Sequence, residues 1–142
     1  MDRIGFTCSS FDLFHAGHVL MLAEAKSQCD YLIVGLQTDP TIDRPEKNKP
    51  VQSVFERFVQ VEGCKHVDII IPYATEVDLL NILRSIHIDV RILGEEYKNK
   101  AFTGEDLDIE IYFNTRSHAF STTELRERIA NAEVLAASLR TK

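Results

Sequence analysis

Two histidines, His15 and His18, stand three residues apart in the run His15-Ala16-Gly17-His18. Residues at that spacing share a face of a helical turn, so both imidazoles can reach one group. If the run opens a helix, the rings stand beside free backbone N–H groups, which favour an anion such as a phosphate. Gly17 has no Cβ and lets a ligand approach its backbone. Two donors beside a helix N-terminus suit a group whose negative charge grows during reaction.

A second cluster lies near the other end of the chain, in the run from Arg116 to Glu124, with Ser121, Thr122 and Thr123 inside it. Ser121 and Glu124 have the spacing of a capping box, which is a sufficient structural reading. Arg116 and the hydroxyls also make a second anion site at a helix start, and the two readings are compatible. Lys47 and Lys49 lie in a polar loop, either as a solvated face or as phosphate ligands. Gly94-Glu95-Glu96-Tyr97, directly after a predicted strand, reads as an exposed acidic turn. His66 and His87 lie in no cluster.

Positioning these groups requires alternating elements. The apolar pattern predicts strands at residues 3–8, 31–36, 67–71, 89–93 and 108–113, and helices at about 17–28, 54–62, 76–86 and 122–139. The third strand is expected to stop at Pro72, and residues 38–50 and 95–106 read as loops. Alternating strands and helices give an α/β fold with a parallel sheet covered on both faces, here one domain over residues 1–142. Ligands of such sheets bind beyond the carboxyl ends of the strands, where all of these motifs fall.

Composition excludes several classes. The formal net charge of −6 repels nucleic acid and anionic membranes at long range, so phosphate chemistry needs a local group of cations. Cys8, Cys29 and Cys64 are widely spaced and make neither a zinc site nor a disulfide framework. No signal segment, membrane span or metal-ligand cluster is visible, and a cytoplasmic protein is expected.

The run Ser10-Phe11-Asp12-Leu13-Phe14-His15-Ala16-Gly17-His18, with Arg116 and Ser121-Thr122-Thr123, resembles the H-x-G-H cytidylyltransferases. Within them it is most similar to the short bacterial glycerol-3-phosphate cytidylyltransferases. The resemblance implies a Rossmann-like three-layer fold on a central five-stranded parallel sheet. It implies transfer of CMP from CTP to a phosphorylated alcohol, most directly glycerol 3-phosphate, with Mg²⁺ accompanying the triphosphate and a homodimeric protein. The catalytic residues it implies are His15, His18, Lys49 and Arg116. It places Ser9, Ser10, Phe11, Gly17, Gly94, Glu95, Ser121, Thr122 and Thr123 at the nucleotide, and Asp12, Lys47 and Arg57 at the acceptor. The chain departs from the family at Glu95-Glu96-Tyr97, where Asp-Asp-Trp is common, and at Ser117-His118-Ala119-Phe120, often Thr-Glu-Gly-Ile. An ATP-using adenylyltransferase and a nucleotide-binding protein without chemistry are the alternative readings.

Overall fold

The continuous apolar run at Tyr31–Gln37 forms the strand β2, and its side chains alternate between two cores. Leu32, Val34 and Leu36 join one cluster, whereas Ile33 joins the other. Burial on both faces is the normal condition of a parallel strand inside an α/β sheet. The computed structural model describes residues 2–116 and 118–141, so Ser117 of the second motif lies outside the described residues.

The strands are β1 (Ile4–Ser9), β2, β3 (Ile69–Tyr73), β4 (Val90–Gly94) and β5 (Glu110–Asn114). They form one sheet in the order β3-β2-β1-β4-β5 with every pairing parallel. Helices α1 (Ala16–Ser27) and α2 (Val54–Glu62) pack on one face through Leu22, Ala25 and Val61, and α3 (Glu76–Ser85) packs on the other through Leu79 and Leu83. This is the Rossmann-like three-layer fold with a five-stranded parallel sheet. The strand order turns back at β1, between β2 and β4, and the crevice beyond their carboxyl ends is the expected ligand site. Helix α4 (Thr122–Arg140) adds no buried residue and touches the site by its first turn.

Two boundaries differ from the sequence expectation for physical reasons. β3 runs through Pro72 to Tyr73 because it is an edge strand paired only with β2, where a missing N–H costs no ladder bond. It starts at Ile69 because the Val67 N–H is drawn back to the Cys64 carbonyl in the turn after α2. The loop after β4 contains a short 3-10 helix, Glu95–Asn99.

One side chain ties the strand ends together. Arg57 on α2 is 1% exposed. Its Nη1 donates to the carbonyls of Ser10 at 2.9 Å and Gln37 at 2.7 Å, its Nη2 to Thr38 at 2.6 Å, and its Nε to Gln52 at 3.1 Å. The guanidinium therefore joins the exits of β1 and β2 to the entry of α2. Its donors are turned to the backbone, so the expected contact of Arg57 with the acceptor's phosphate is corrected to a structural role. Burial pushes the Arg57 pKa down, against the nearby carboxylates of Asp12 and Asp39.

Arg57→Met should destabilise the fold by about 3 kcal/mol or more, because a buried acceptor losing its donor costs about 1–3 kcal/mol. Urea unfolding followed by circular dichroism measures this. A loss under about 1 kcal/mol would mean that the carbonyls find other donors.

Candidate active site

The segment from Ser10 to His15 is held by contacts that its sequence does not advertise. Phe11 and Leu13 both have φ near 52°, a left-handed conformation that costs non-glycine residues on the order of 1–3 kcal/mol each. Burial of the Phe11 ring in the core offsets that strain. Asp12 accepts from the N–H groups of Val51 at 2.9 Å and Gln52 at 3.0 Å, and the Leu13 N–H donates to the Gln52 side chain at 2.8 Å. The resemblance implies Phe11 at the nucleotide and Asp12 at the acceptor. The Phe11 ring lies in the core, and Asp12 lines the cleft over the strand ends with both carboxylate oxygens engaged by the loop before α2.

This scaffold sets the two histidines. His15 is the N-cap of α1: the Gly17 N–H donates to His15 Nδ1 at 3.0 Å, and the His15 N–H donates to His18 Nδ1 at 3.1 Å. Each Nδ1 is an acceptor, so in the neutral ring the proton sits on Nε2. The two rings lie 3.9 Å apart, and His18 stacks on Phe14 at 5.5 Å. A Cβ at Gly17 would stand 2.8 Å from the His15 ring and 2.9 Å from the His118 ring. Glycine is required there by the protein's own imidazoles, beyond any ligand.

Both histidines are biased toward the neutral form. Burial pushes His18 down to about 4, helped by the positive charge His15 would carry and opposed by Asp12. His15 is lowered by burial, then by His118 and Arg116. Neutral imidazoles with protons on Nε2 remain hydrogen-bond donors without carrying charge.

The two motifs meet. His15 Nε2 lies 3.2 Å from Thr122 Oγ1, whose hydroxyl donates to the Asp12 carbonyl at 3.3 Å. Ser121 caps α4 by accepting from the Glu124 N–H at 3.0 Å, with no return bond from the Glu124 side chain, so half of the predicted box forms. Arg116 donates to the Phe120 carbonyl at 2.8 Å. A cleft of about 1280 Å³ over the strand ends is lined by Ser9, Ser10, His15, Gly17, His18, Gly94, Glu95, Arg116, Ser121, Thr122 and Thr123. Lys47 and Asn48 also line it, whereas Lys49, expected to be catalytic, is exposed outside the lining. Glu95 is exposed and lies 3.8 Å from Lys98, while the Glu96 carboxylate folds back to 2.5 Å from where a Gly94 Cβ would be.

Sequence reading missed several lining residues. Glu24 on α1 accepts from Tyr112 Oη at 2.8 Å and the Thr115 N–H at 2.9 Å, fixing the chain just before Arg116. His118 completes a trio of imidazoles, its Nδ1 accepting from the Phe120 N–H at 3.1 Å. Arg91 was the most legible of them, as a lone charge in the otherwise apolar strand Val90–Gly94. Among the described residues no group of acidic, histidine or cysteine side chains could hold a metal ion, and no helix is long and apolar enough to cross a membrane.

His18 gives a pH signature. Its folded pKa lies below the unfolded value near 6.5, so the unfolded chain binds the extra proton between those values. Its stabilising contribution is complete above about 6.5 and is lost as pH falls toward 4. His18→Gln should flatten this part of the stability–pH curve. An unchanged slope between pH 6.5 and 4 in urea titrations would show that His18 is not the depressed group.

The chain is similar to known proteins in sequence and in fold. The chain is 37% identical over 106 residues to the bifunctional protein HldE of Caulobacter sp. strain K31, covering 74% of this chain and 22% of that protein. It is 33% identical over 132 residues to the bifunctional protein HldE of Campylobacter concisus strain 13826, covering 92% of this chain and 28% of that protein. The chain thus spans less than a third of the length of these relatives. The crystal structure of the lipopolysaccharide core biosynthesis protein from Thermoplasma volcanium GSS1 has the same fold, with a TM-score of 0.69 at 23% identity over 83% of this chain and all of that one. Residues 6–128 match the Cytidylyltransferase-like family, and the chain belongs to it.

Proposed function

We propose that the protein transfers a nucleoside monophosphate from CTP to the phosphate of a small phosphorylated alcohol, releasing pyrophosphate. The supporting observation is the hydrogen-bond reach between His15 and Thr122, 107 residues apart in sequence, which sets two helix N-termini against one another. A polyphosphate between them meets N–H groups from α1 and α4, hydroxyls from Ser121 and Thr122, and the Arg116 guanidinium. Each of these favours negative charge.

In this reading an oxygen of the acceptor's phosphate attacks the α-phosphorus in line. The new P–O bond forms as the bond to the β-phosphate breaks, and pyrophosphate carries away the electron pair. A phosphate monoester needs no enzyme base to be nucleophilic. Catalysis is then positioning and charge stabilisation. The Nε2–H groups of His15 and His18 donate to oxygens whose charge grows in the transition state. Mg²⁺ enters as part of the triphosphate substrate, held by phosphate oxygens.

Glycerol 3-phosphate is the first acceptor to test, and CTP the first donor. A carboxylate beyond β4 can accept from the cytosine amine, whereas uracil presents a carbonyl there. Glu96 joins Glu95 in this role, since its carboxylate lies against Gly94. The volume of the cleft also admits a purine, so ATP is the competing donor. The reading includes a homodimer, for which the exposed Ile129, Val134, Leu135 and Leu139 on α4 offer an apolar face.

His15→Ala or His18→Ala should lower turnover by roughly 10²–10³, as loss of one oxyanion donor does elsewhere, with a smaller effect on nucleotide affinity. Normal turnover in both variants would remove them from the mechanism. Pyrophosphate release should be faster with CTP than with UTP, and Glu95→Gln with Glu96→Gln should narrow that gap. Equal rates in the unaltered protein would sink the carboxylate's role, and a clear preference for ATP would make the protein an adenylyltransferase.

A further inference from the structure

The cleft is larger than the roughly 300–1,000 Å³ of a pocket for one small ligand, and it extends to the face of the sheet opposite α1. There the ends of β1, β2 and β3 supply a floor of Cys8, Gln37 and Tyr73, and Arg44, Glu76 and Arg91 form the walls. Both oxygens of Glu76 are occupied, accepting from Arg44 Nη2 at 2.7 Å and Thr103 Oγ1 at 2.9 Å. Arg91 is 3% exposed and makes no ion pair among the described residues. It donates to the Thr103 carbonyl and lies 5.4 Å over the Phe102 ring. Gly104, at φ +82°, makes the turn just after that carbonyl, and a Cβ there would stand 3.2 Å from Arg91 Nη1.

The contrast with Arg57 is informative. Both arginines are buried, but Arg57 spends its donors on carbonyls, whereas Arg91 Nε has no partner. Gln37 Nε2 and Arg44 Nε, in the same lobe, also lack partners. A buried cation without a counter-charge, beside further unpaired donors, is costly unless a ligand completes it. All three unpaired atoms are donors, so a ligand that pairs with them presents acceptors. Of the three charged side chains on these walls, two are cations and one is a carboxylate, a surplus of one positive charge. One carboxylate neutralises that charge, and a phosphate dianion overshoots it.

We infer that this lobe holds the non-reacting end of the acceptor and that this end carries a carboxylate, received by Arg91 and Arg44 with Gln37 donating beside them. The inference rests on the nucleotidyl-transfer reading and names its acceptor class: a phosphorylated hydroxy acid in preference to a phosphorylated polyol. Planar guanidinium groups match carboxylates in geometry as well as charge.

The test compares glycerol 3-phosphate with 3-phosphoglycerate, three-carbon phosphate monoesters in which a terminal alcohol is replaced by a carboxylate. With the better nucleotide, kcat/KM for pyrophosphate release should favour 3-phosphoglycerate by about tenfold or more, chiefly through KM. Arg44→Gln, on a half-exposed loop, should reduce that ratio several-fold. Arg91→Lys, which keeps the charge and removes the guanidinium fork, should do the same where Arg91→Met fails to fold. A ratio of one or below in the unaltered protein, or a ratio unmoved by both variants, overturns the inference. If neither acceptor yields pyrophosphate with CTP or ATP, the transfer reading fails on its own. Thermal melts then decide the lobe: a rise with 3-phosphoglycerate that Arg44→Gln abolishes upholds it, and no rise overturns it.

Discussion

The site depends on one buried guanidinium. Parallel strands end in carbonyls that point past the sheet, and where β1 and β2 finish, those of Ser10, Gln37 and Thr38 would be left in a protein interior without water. Arg57 collects them, along with the Gln52 carbonyl before α2. This fixes where the chain leaves β1, and the chain leaving β1 carries Phe11, Asp12 and then the histidines. Asp12 closes the circuit by accepting from Val51 and Gln52. The phosphate-facing loop is thereby cross-braced to α2 from both directions, and its two left-handed residues are held against their own preference.

The histidines show how such bracing becomes chemistry. In a free peptide each imidazole exchanges its proton between two nitrogens and gains a second one below neutral pH. Here backbone N–H groups occupy both Nδ1 atoms, and burial disfavours the cation. The bonds from Gly17 N–H to His15 Nδ1 and from His15 N–H to His18 Nδ1 have the form of a capping box. The same two bonds therefore start the helix and select the tautomer, which explains why the spacing is three and why the residue between them on that face must be glycine.

Much of this was legible because periodicity and caps are local. The β2 run, the helix starts and the two motifs could be read from residue types, and their convergence followed from the parallel-sheet rule. What was not legible is long-range. Arg57 and Lys49 are charged residues near motifs, and residue type does not distinguish a cation facing a phosphate from one facing carbonyls or solvent. Glu24 looks like any exposed acid on α1 until Thr115, 91 residues on, returns to it. Arg91 did carry a signal, since a charge inside an apolar strand requires a reason. The reason lay in the loop around Thr103, which no local pattern connects to β4.

The acidic balance takes on a different meaning once the bonds are followed. A net charge of −6 repels polyphosphates at long range, yet many of the carboxylates are tied to the backbone. Asp89 accepts from the Ile4 N–H, Asp68 from Leu32, Asp78 from Ala74 and Thr75, Glu56 from Ser53 and Glu24 from Thr115. These are the entries to β1 and β2, the starts of α3 and α2, and the exit from β5. Hydrogen bonds from the Ile4, Ser53 and Thr75 backbones hold the pKa values of Asp89, Glu56 and Asp78 below their usual range. A carboxylate so bonded points into the scaffold and satisfies a donor that the strand or helix leaves open. Around the cleft Asp12, Glu24 and Glu76 are occupied by protein donors, while Lys47, Glu95 and Arg116 line the opening. Net charge describes the chain at a distance, and at the strand ends the local field is set by which charges the fold has already spent.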